Sequence, residues 1–452
     1  MKRMTRSGSG EEGYALAVVM VLVFVIGIIG AAFMSLAGNE TLSSQGSLNS
    51  QRAFWLAESG KARALRFLSE LHSPPTSDRV IYQDVAGPDG GTYTVNCLVD
   101  TNALWAVEKA FVLDCVGNAG GVQRRIRQRV RMSSFAQYAM FTDNETINGN
   151  RIWHITGDVI GGQLHTNGTL CISGTPQFLG RVTSASDRMI GYSNSVVYDM
   201  NDWPVGGNNP TFAQGAELNA PYIDVPTTTP ELRNQSLFGG LYRASEMDIE
   251  LGFTGLQAPV ASPGWLRYRD HSLPTGNWTS VRIGDLAEPV VYCDQNVHIR
   301  GVLDGELTVA SRLDVRIVDN ITYQASNAQG EPPSNCDDLL GLVAERNVIF
   351  VDNVANQTDL IVNAVLMALG TSIQAENYTL GLPRGTLTIW GGLIQRVRGA
   401  VGQFRGTTII HGYRKNYHYD PRVTGRVPPS YPLTGVYEET SWEETWDATN
   451  PF

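Results

Sequence analysis

The pattern of apolar and polar positions divides the chain into three textures. From Tyr14 to Ala37, YALAVVMVLVFVIGIIGAAFMSLA, no side chain carries a charge. As a helix rising ~1.5 Å per residue this stretch is roughly 36 Å long, enough to cross a bilayer. It exceeds the ~7–15-residue apolar core of a cleaved export signal. Beyond Ala37 the pattern turns amphipathic: Ala53, Phe54, Ala57, Ala64, Leu65, Leu68 and Leu71 recur at spacings of three, four and seven. Pro74 and Pro75 supply a stop. The weak helix formers of TLSSQGSLNS leave room for a bend near Gly46. Unbroken, Tyr14 to Leu71 would run roughly 87 Å.

The second texture alternates with a period of two. GGTYTVNCLVD (90–100), KAFVLDCVGN and GVQRRIRQRVRM, the last two joined by the hairpin signal NAGG, predict three antiparallel strands against the amphipathic helix. In the third strand Arg125, Arg127, Arg129 and Arg131 share one face, and Ile126, Val130 and Met132 share the other. The arginine face reads as solvated; contact with lipid headgroups or an acidic partner is the alternative. Cys97 and Cys115 fall in consecutive strands and are the candidate disulfide of an oxidising compartment, two buried free thiols being the rival.

From Phe135 short apolar pairs are punctuated by Gly and Asn, as in VVYCDQNVHIRGVLDGELTVASRLDVRIVDNITYQ. Turns every ~8–12 residues predict an all-β region. The texture favours a parallel β-solenoid, with a β-sandwich as alternative; no fixed period emerges. Between Tyr192 and Ser280 the pattern lapses into an excursion over the body. The Pro- and acid-rich end of the chain reads as an extended tail.

A formal charge of −10 makes the chain a poor general nucleic-acid binder. Removal of residues 1–13, with Lys2, Arg3 and Arg6 against Glu11 and Glu12, would leave −11. The basic residues before the apolar span predict a cytoplasmic N-terminus. The five cysteines have no metal-ligand spacing, and no zinc, P-loop or nucleotide signature occurs. Asp337 and Asp338 read as N-terminal acids on a helical turn DDLLGLVA, with calcium binding or catalysis as alternatives. His411, Lys415, His418, Asp420 and Arg422, in HGYRKNYHYDPR, read as surface or lid packing rather than an active site. No catalytic residue, metal or cofactor is expected.

Two stretches, GYALAVVMVLVFVIGIIG and QRAFWLAESGKARAL, resemble the N-terminal region of type IV pilin-like proteins of the PilX-like kind. The resemblance implies a short leader ending at Gly13, cleavage by a prepilin peptidase, and Tyr14 as the mature N-terminus. Gly10 is a weaker alternative, and an uncut signal anchor is the plainer one. Major pilins carry Glu at the fifth mature position, where this chain has Val18; ordinary packing in a filament body is thereby in doubt. LHTNGTLCISGTPQFLGRVTSA, CDDLLGLVAERNVIFVDN and GGLIQRVRGAVGQF with the following GYRKNYHYDPR further resemble an uncharacterised bacterial β-rich family found behind such N-termini. That second resemblance implies no activity.

The expected protein is an α+β chain: leader 1–13, transmembrane plus amphipathic helix 14–73, pilin-like sheet 74–133, β-solenoid-like domain 134–425 with an excursion near 192–280, and tail 426–452. It is expected to be a non-enzymatic minor pilin or pseudopilin of a type IV pilus or type II secretion-like assembly. Its place is the bacterial inner membrane, single-pass, with the body periplasmic or on a surface filament. Its partners are the inner membrane, the prepilin peptidase and other pilins or pseudopilins, with surface polysaccharide as a further candidate and no nucleic acid. A membrane-anchored carbohydrate-binding or carbohydrate-active β-solenoid is the alternative.

Overall fold

The structure is a computed structural model that describes residues 11–69, 75, 77–87, 90–100, 110–147, 149–252, 264–274, 276–405 and 408–445. Leu71, Pro74 and most of the leader lie outside these residues. The chain divides into two compact units, Met1–Asp100 with Ala110–Arg131 and Glu439–Phe452, and Thr101–Lys109 with Met132–Glu438.

The smaller unit is built on helix α1, Glu11–Ser69, a single run of 59 residues with no break at Gly46. The helix continues through the weak formers of TLSSQGSLNS because the turns on either side are already formed, and extending a helix is easier than starting one. The helix changes character along its length. Tyr14, Leu16, Phe24, Phe33 and Met34 are all more than two-thirds exposed, and the apolar side chains between them are exposed around every face. Ala53, Leu56, Ala57, Ala64 and Leu68 form a buried stripe at helical spacing.

That stripe packs on a sheet ordered β1 (Arg79–Ala86), β2 (Thr92–Val99), β3 (Ala110–Ala119), β4 (Val122–Ser134) and a C-terminal strand, Leu433–Thr445. β1, β2, β3 and β4 pair antiparallel in sequence order. Val95, Cys97, Leu113, Cys115, Ile126 and Val130 alternate inward and are almost fully buried beneath the helix. Gly117 allows the closest approach: a Cβ there would lie 1.9 Å from the Ala53 carbonyl oxygen. On the opposite face Asp114 takes a two-pronged contact from Arg125, with bonds of 2.6 and 2.5 Å, and a third from Arg127. The arginine face is therefore partly self-neutralised.

The tail is not merely laid along the body. Gln128 Nε2 donates to the Ser441 carbonyl at 2.7 Å, Thr440 Oγ1 donates to the Arg129 carbonyl, and Arg124 pairs with Glu444. These partners run in opposite order along the two strands, so the C-terminal strand lies antiparallel to β4. Trp442 reaches α1, its Nε1 donating to Glu58 at 3.0 Å.

The larger unit is β-rich, and its long ladders are mainly parallel. One ladder contains, in spatial order, strands 216–217, 182–184, 163–166, 138–144, 393–397, 365–368, 339–344, 306–311, 290–293 and 241–243. Every neighbouring pair in it is parallel. A second ladder contains strands 247–251, 297–303, 315–323, 360–363, 383–390 and 408–418, with antiparallel strands added at both ends. From Val290 onward the chain alternates repeatedly between the two ladders, whose inner side chains share one core. Register stacks like on like: Val297, Val315, Val348 and Ile373 form one file, and Val309, Leu342, Leu366 and Leu393 another, all nearly inaccessible. Each such side chain contributes about 1.5–3 kcal/mol by leaving water.

The order of the first ladder has a consequence. The chain enters in the middle at 138–144, works outward to 216–217, restarts at the far end with 241–243, and returns until 393–397 pairs with 138–144. A ten-stranded ladder is roughly 43 Å from end to end at ~4.8 Å per step. The segment 218–229, followed by helix α2 (Pro230–Phe238), covers that length. It touches successive strand ends in turn. Ala220 N meets Ser184 O at 2.9 Å. Ile223 exchanges two bonds with Asn167. Tyr222 donates to Asp143, Arg396 holds the Val225 and Pro226 carbonyls, and Thr229 binds Glu345. The segment crossing the ladder is thus 218–240, narrower than the expected excursion of 192–280. Strands at 195–197, 211–217, 241–251 and 265–282 belong to the sheets.

DDLLGLVA is not a helical turn. Leu339–Ala344 is a fully buried strand, and Asp338 instead accepts from Gly305 N at 2.7 Å. The six-residue apolar run suits an interior parallel strand as well as a helix, and its neighbours decide.

Candidate functional site

Two features stand out, one in each unit. In the smaller unit it is the first half of α1. Gly13 lies inside α1, whose first residue is Glu11, and Tyr14 is 79% exposed. A helix apolar on all sides and unpacked over five turns has no aqueous solution to its own burial; lipid or other helices supply one. Val18 is 58% exposed.

The disulfide considered between Cys97 and Cys115 is not formed: both thiols are free and buried. Register explains this. Cys97 stands opposite Leu113 and Cys115 opposite Val95, so the two cysteines share a face but sit diagonally, two residues out of step. Diagonal neighbours stand ~7–8 Å apart, beyond the ~4.4–6.8 Å between Cα atoms that a disulfide usually spans. Burial pushes the Cys97 thiol up to about 11 and the Cys115 thiol higher still, so neither is a ready nucleophile.

In the larger unit a cleft of about 420 Å³ opens at the seam where strand 138–144 meets 393–397. Met140 and the turn 157–161 line it from one side, and Trp390, Leu393, Arg398 and residues 415–419 from the other. Trp390 and His418 stack at 4.2 Å and 14° on its wall. Burial lowers the Lys415 ammonium from its usual range, partly opposed by the nearby Asp158 carboxylate. Burial likewise raises the Tyr417 phenol and lowers His418. Beneath the cleft Arg398 spans the seam to Glu145 at 3.4 Å, both side chains at most 5% exposed, and its other nitrogen lies 3.4 Å from His154 Nδ1. His154 is wholly buried; desolvation first, then the charges of Arg398 and Lys415, hold it well below the usual imidazole range.

The residues of HGYRKNYHYDPR separate. Lys415 and His418 face the cleft. His411 bonds the Gly381 carbonyl at the far end of the same strand. Asp420 and Arg422 form a bidentate pair, and Arg422 Nη1 holds the carbonyls of Cys336 and Asp338 at 2.7 and 3.1 Å. That lock joins two acid-containing motifs as structure. Asp158, Arg398 and His154 were missed in the sequence, since nothing local ties residues more than 200 positions apart. Among the described residues lining the cleft, Asp158 is the only carboxylate.

A family model described as "Domain of unknown function (DUF4900)" matches residues 110–186. This covers β3, β4 and the first turns of the larger unit. Comparison with the curated proteins finds no match. Among solved structures, the competence-associated pilin ComZ from Thermus thermophilus is similar at 14% identity, over 88% of this chain and 97% of that one, with a TM-score of 0.29. A score this low carries no inference about fold or function.

Proposed function

We propose that the chain is a non-enzymatic, pilin-like envelope protein. In this reading it is a minor pilin or pseudopilin of a type IV pilus or type II secretion-like assembly, cut after Gly13 by a prepilin peptidase. The observation that carries the reading is α1: one unbroken helix, uncharged from Tyr14 through Ala37 with its large apolar side chains exposed, then packed by a small-residue stripe on an antiparallel sheet. The larger unit is read as a β-solenoid, supported by its parallel ladders and by the alternation of successive strands between them. Val18 in place of Glu, together with the bulk of that unit, favours a tip or initiating subunit over a repeating one. Labelled antibody is expected at filament ends and in the inner-membrane fraction; regular decoration along the shaft would contradict the tip assignment.

A second reading is favoured by the cleft. A stacked indole and imidazole beside Lys415 and Arg398 suit a hydroxyl-rich, anionic surface polysaccharide. A lone carboxylate does not supply the two-carboxylate pair of most glycosidases. Uronate oligosaccharides binding the full chain, and binding more weakly to Lys415→Ala, would support this reading; equal binding would remove it.

A further inference from the structure

We propose that Glu246, His271 and His298 form a binding site for a divalent transition-metal ion of the zinc class. Glu246 immediately precedes strand 247–251, His271 immediately follows strand 265–270 and His298 lies in strand 297–303, three neighbours at one end of the second ladder. Strand 247–251 pairs parallel with 297–303 and antiparallel with 265–270. His271 N donates to the Glu246 carbonyl at 2.9 Å, which sets these two residues opposite each other, and His298 stands opposite Asp248. Met247, Ile249 and Leu251 point inward and are buried, so Glu246 and the two imidazoles fall on the outward face.

The donor atoms all lie within 4.8 Å of one another. His298 Nε2 is 2.7 Å from Glu246 Oε1, and the two imidazole rings stack at 4.1 Å and 6°. Outer contacts support two of the donors. His271 Nδ1 is 2.6 Å from Asp248 Oδ1, which leaves its Nε2 free to ligate. Asp248 is in turn held by Arg269 at 2.7 Å, and Asn296 donates to Glu246 at 3.1 Å. A carboxylate behind a histidine is the usual support of a metal-binding imidazole.

Chemistry selects the ion. Two imidazoles and one carboxylate suit zinc or its neighbours, whereas magnesium and calcium want oxygen donors. The stacked rings of His271 and His298 bring both imidazoles to one edge of the cluster beside Glu246. Contacts with His298 and Asn296 orient the Glu246 carboxylate. On binding, the hydrogen that His298 Nε2 shares with Glu246 moves to Nδ1, and the exposed His271 tilts so that its Nε2 meets the same ion. Three protein donors leave a fourth position open to water.

The test is titration of the full chain in detergent with Co²⁺, read by its visible absorption, followed by competition with Zn²⁺. The expected result is one equivalent bound with a low-symmetry Co²⁺ spectrum that Zn²⁺ abolishes. His271→Ala and Glu246→Gln should each weaken binding at least tenfold, and Asp248→Asn by about 10–100-fold through the outer contact. His411→Ala should leave binding unchanged. A wild-type chain without stoichiometric binding would overturn the site. So would a His271→Ala, His298→Ala double variant that keeps the wild-type circular dichroism and still binds like the wild type.

Discussion

The two units solve the same problem, a sheet with a buried face, in opposite ways. In the smaller one, β1 to β4 are neighbours in sequence and in space, and a single helix covers them. In the larger one the strands that meet are far apart along the chain. Val291 pairs with Val309, Val309 with Leu342, and Met140 with Leu393. The first ladder therefore closes only when its last strand returns to its first. The difference teaches where each unit is vulnerable: the first at a local contact of helix and sheet, the second at its seam.

The seam should yield the largest effect. Glu145→Ala leaves Arg398 buried without its countercharge, and loss of one partner of a buried pair costs about 3–5 kcal/mol. Denaturant unfolding of the chain in detergent measures it; a loss below about 1 kcal/mol, the range of exposed pairs, would show that the seam does not hold the ladder. The local contact of the smaller unit comes next. Gly117→Val places a side chain against the Ala53 carbonyl and should cost about 1–3 kcal/mol, read as a lowered thermal midpoint. Unchanged melting would mean that the helix slides freely on its sheet.

The pH response sharpens the picture of the larger unit. His154 stays neutral when folded, while an unfolded imidazole takes a proton near pH 6.5. Below that pH the unfolded state binds more protons, so stability falls as pH falls from about 7 toward 5. One such group contributes a slope of up to ~1.4 kcal/mol per pH unit. His154→Gln should make the measured slope shallower; an identical slope would place the titration elsewhere. The smallest effect is expected at Arg181–Glu217, a pair with side chains 60% and 47% exposed. Glu217→Ala should change unfolding free energy by at most ~1 kcal/mol, and a larger loss would mean that the outer strand 216–217 depends on it.

The same contrast governs how much could be read from the sequence. The amphipathic stripe of α1 and the alternation of β2, β3 and β4 follow from local period and were legible. Leu56 joins the stripe only once the helix is seen. The C-terminal strand was not legible as sheet because its partner, β4, lies some three hundred residues earlier. In the larger unit strand texture was visible but period was not. His154 to Ile172 and Ile160 to Phe178 are both eighteen residues, yet Val309 to Leu342 is thirty-three and Leu342 to Leu366 twenty-four. Unequal loops erase a repeat without disturbing the register. The cleft and the Glu246, His271, His298 cluster stayed hidden for the same reason, since each gathers donors from separate strands. For Cys97 and Cys115 the adjacent strands were legible but the register was not: the two sit diagonally, as in the free-thiol alternative.

The central claim is that α1 begins its mature life as an exposed apolar helix beginning at Tyr14. Mass spectrometry of the N-terminal peptide from envelope-derived protein tests it most directly. The account predicts a mature chain starting at Tyr14, with Gly13 as the last residue removed. A peptide that still carries Met1 through Gly13 would contradict it.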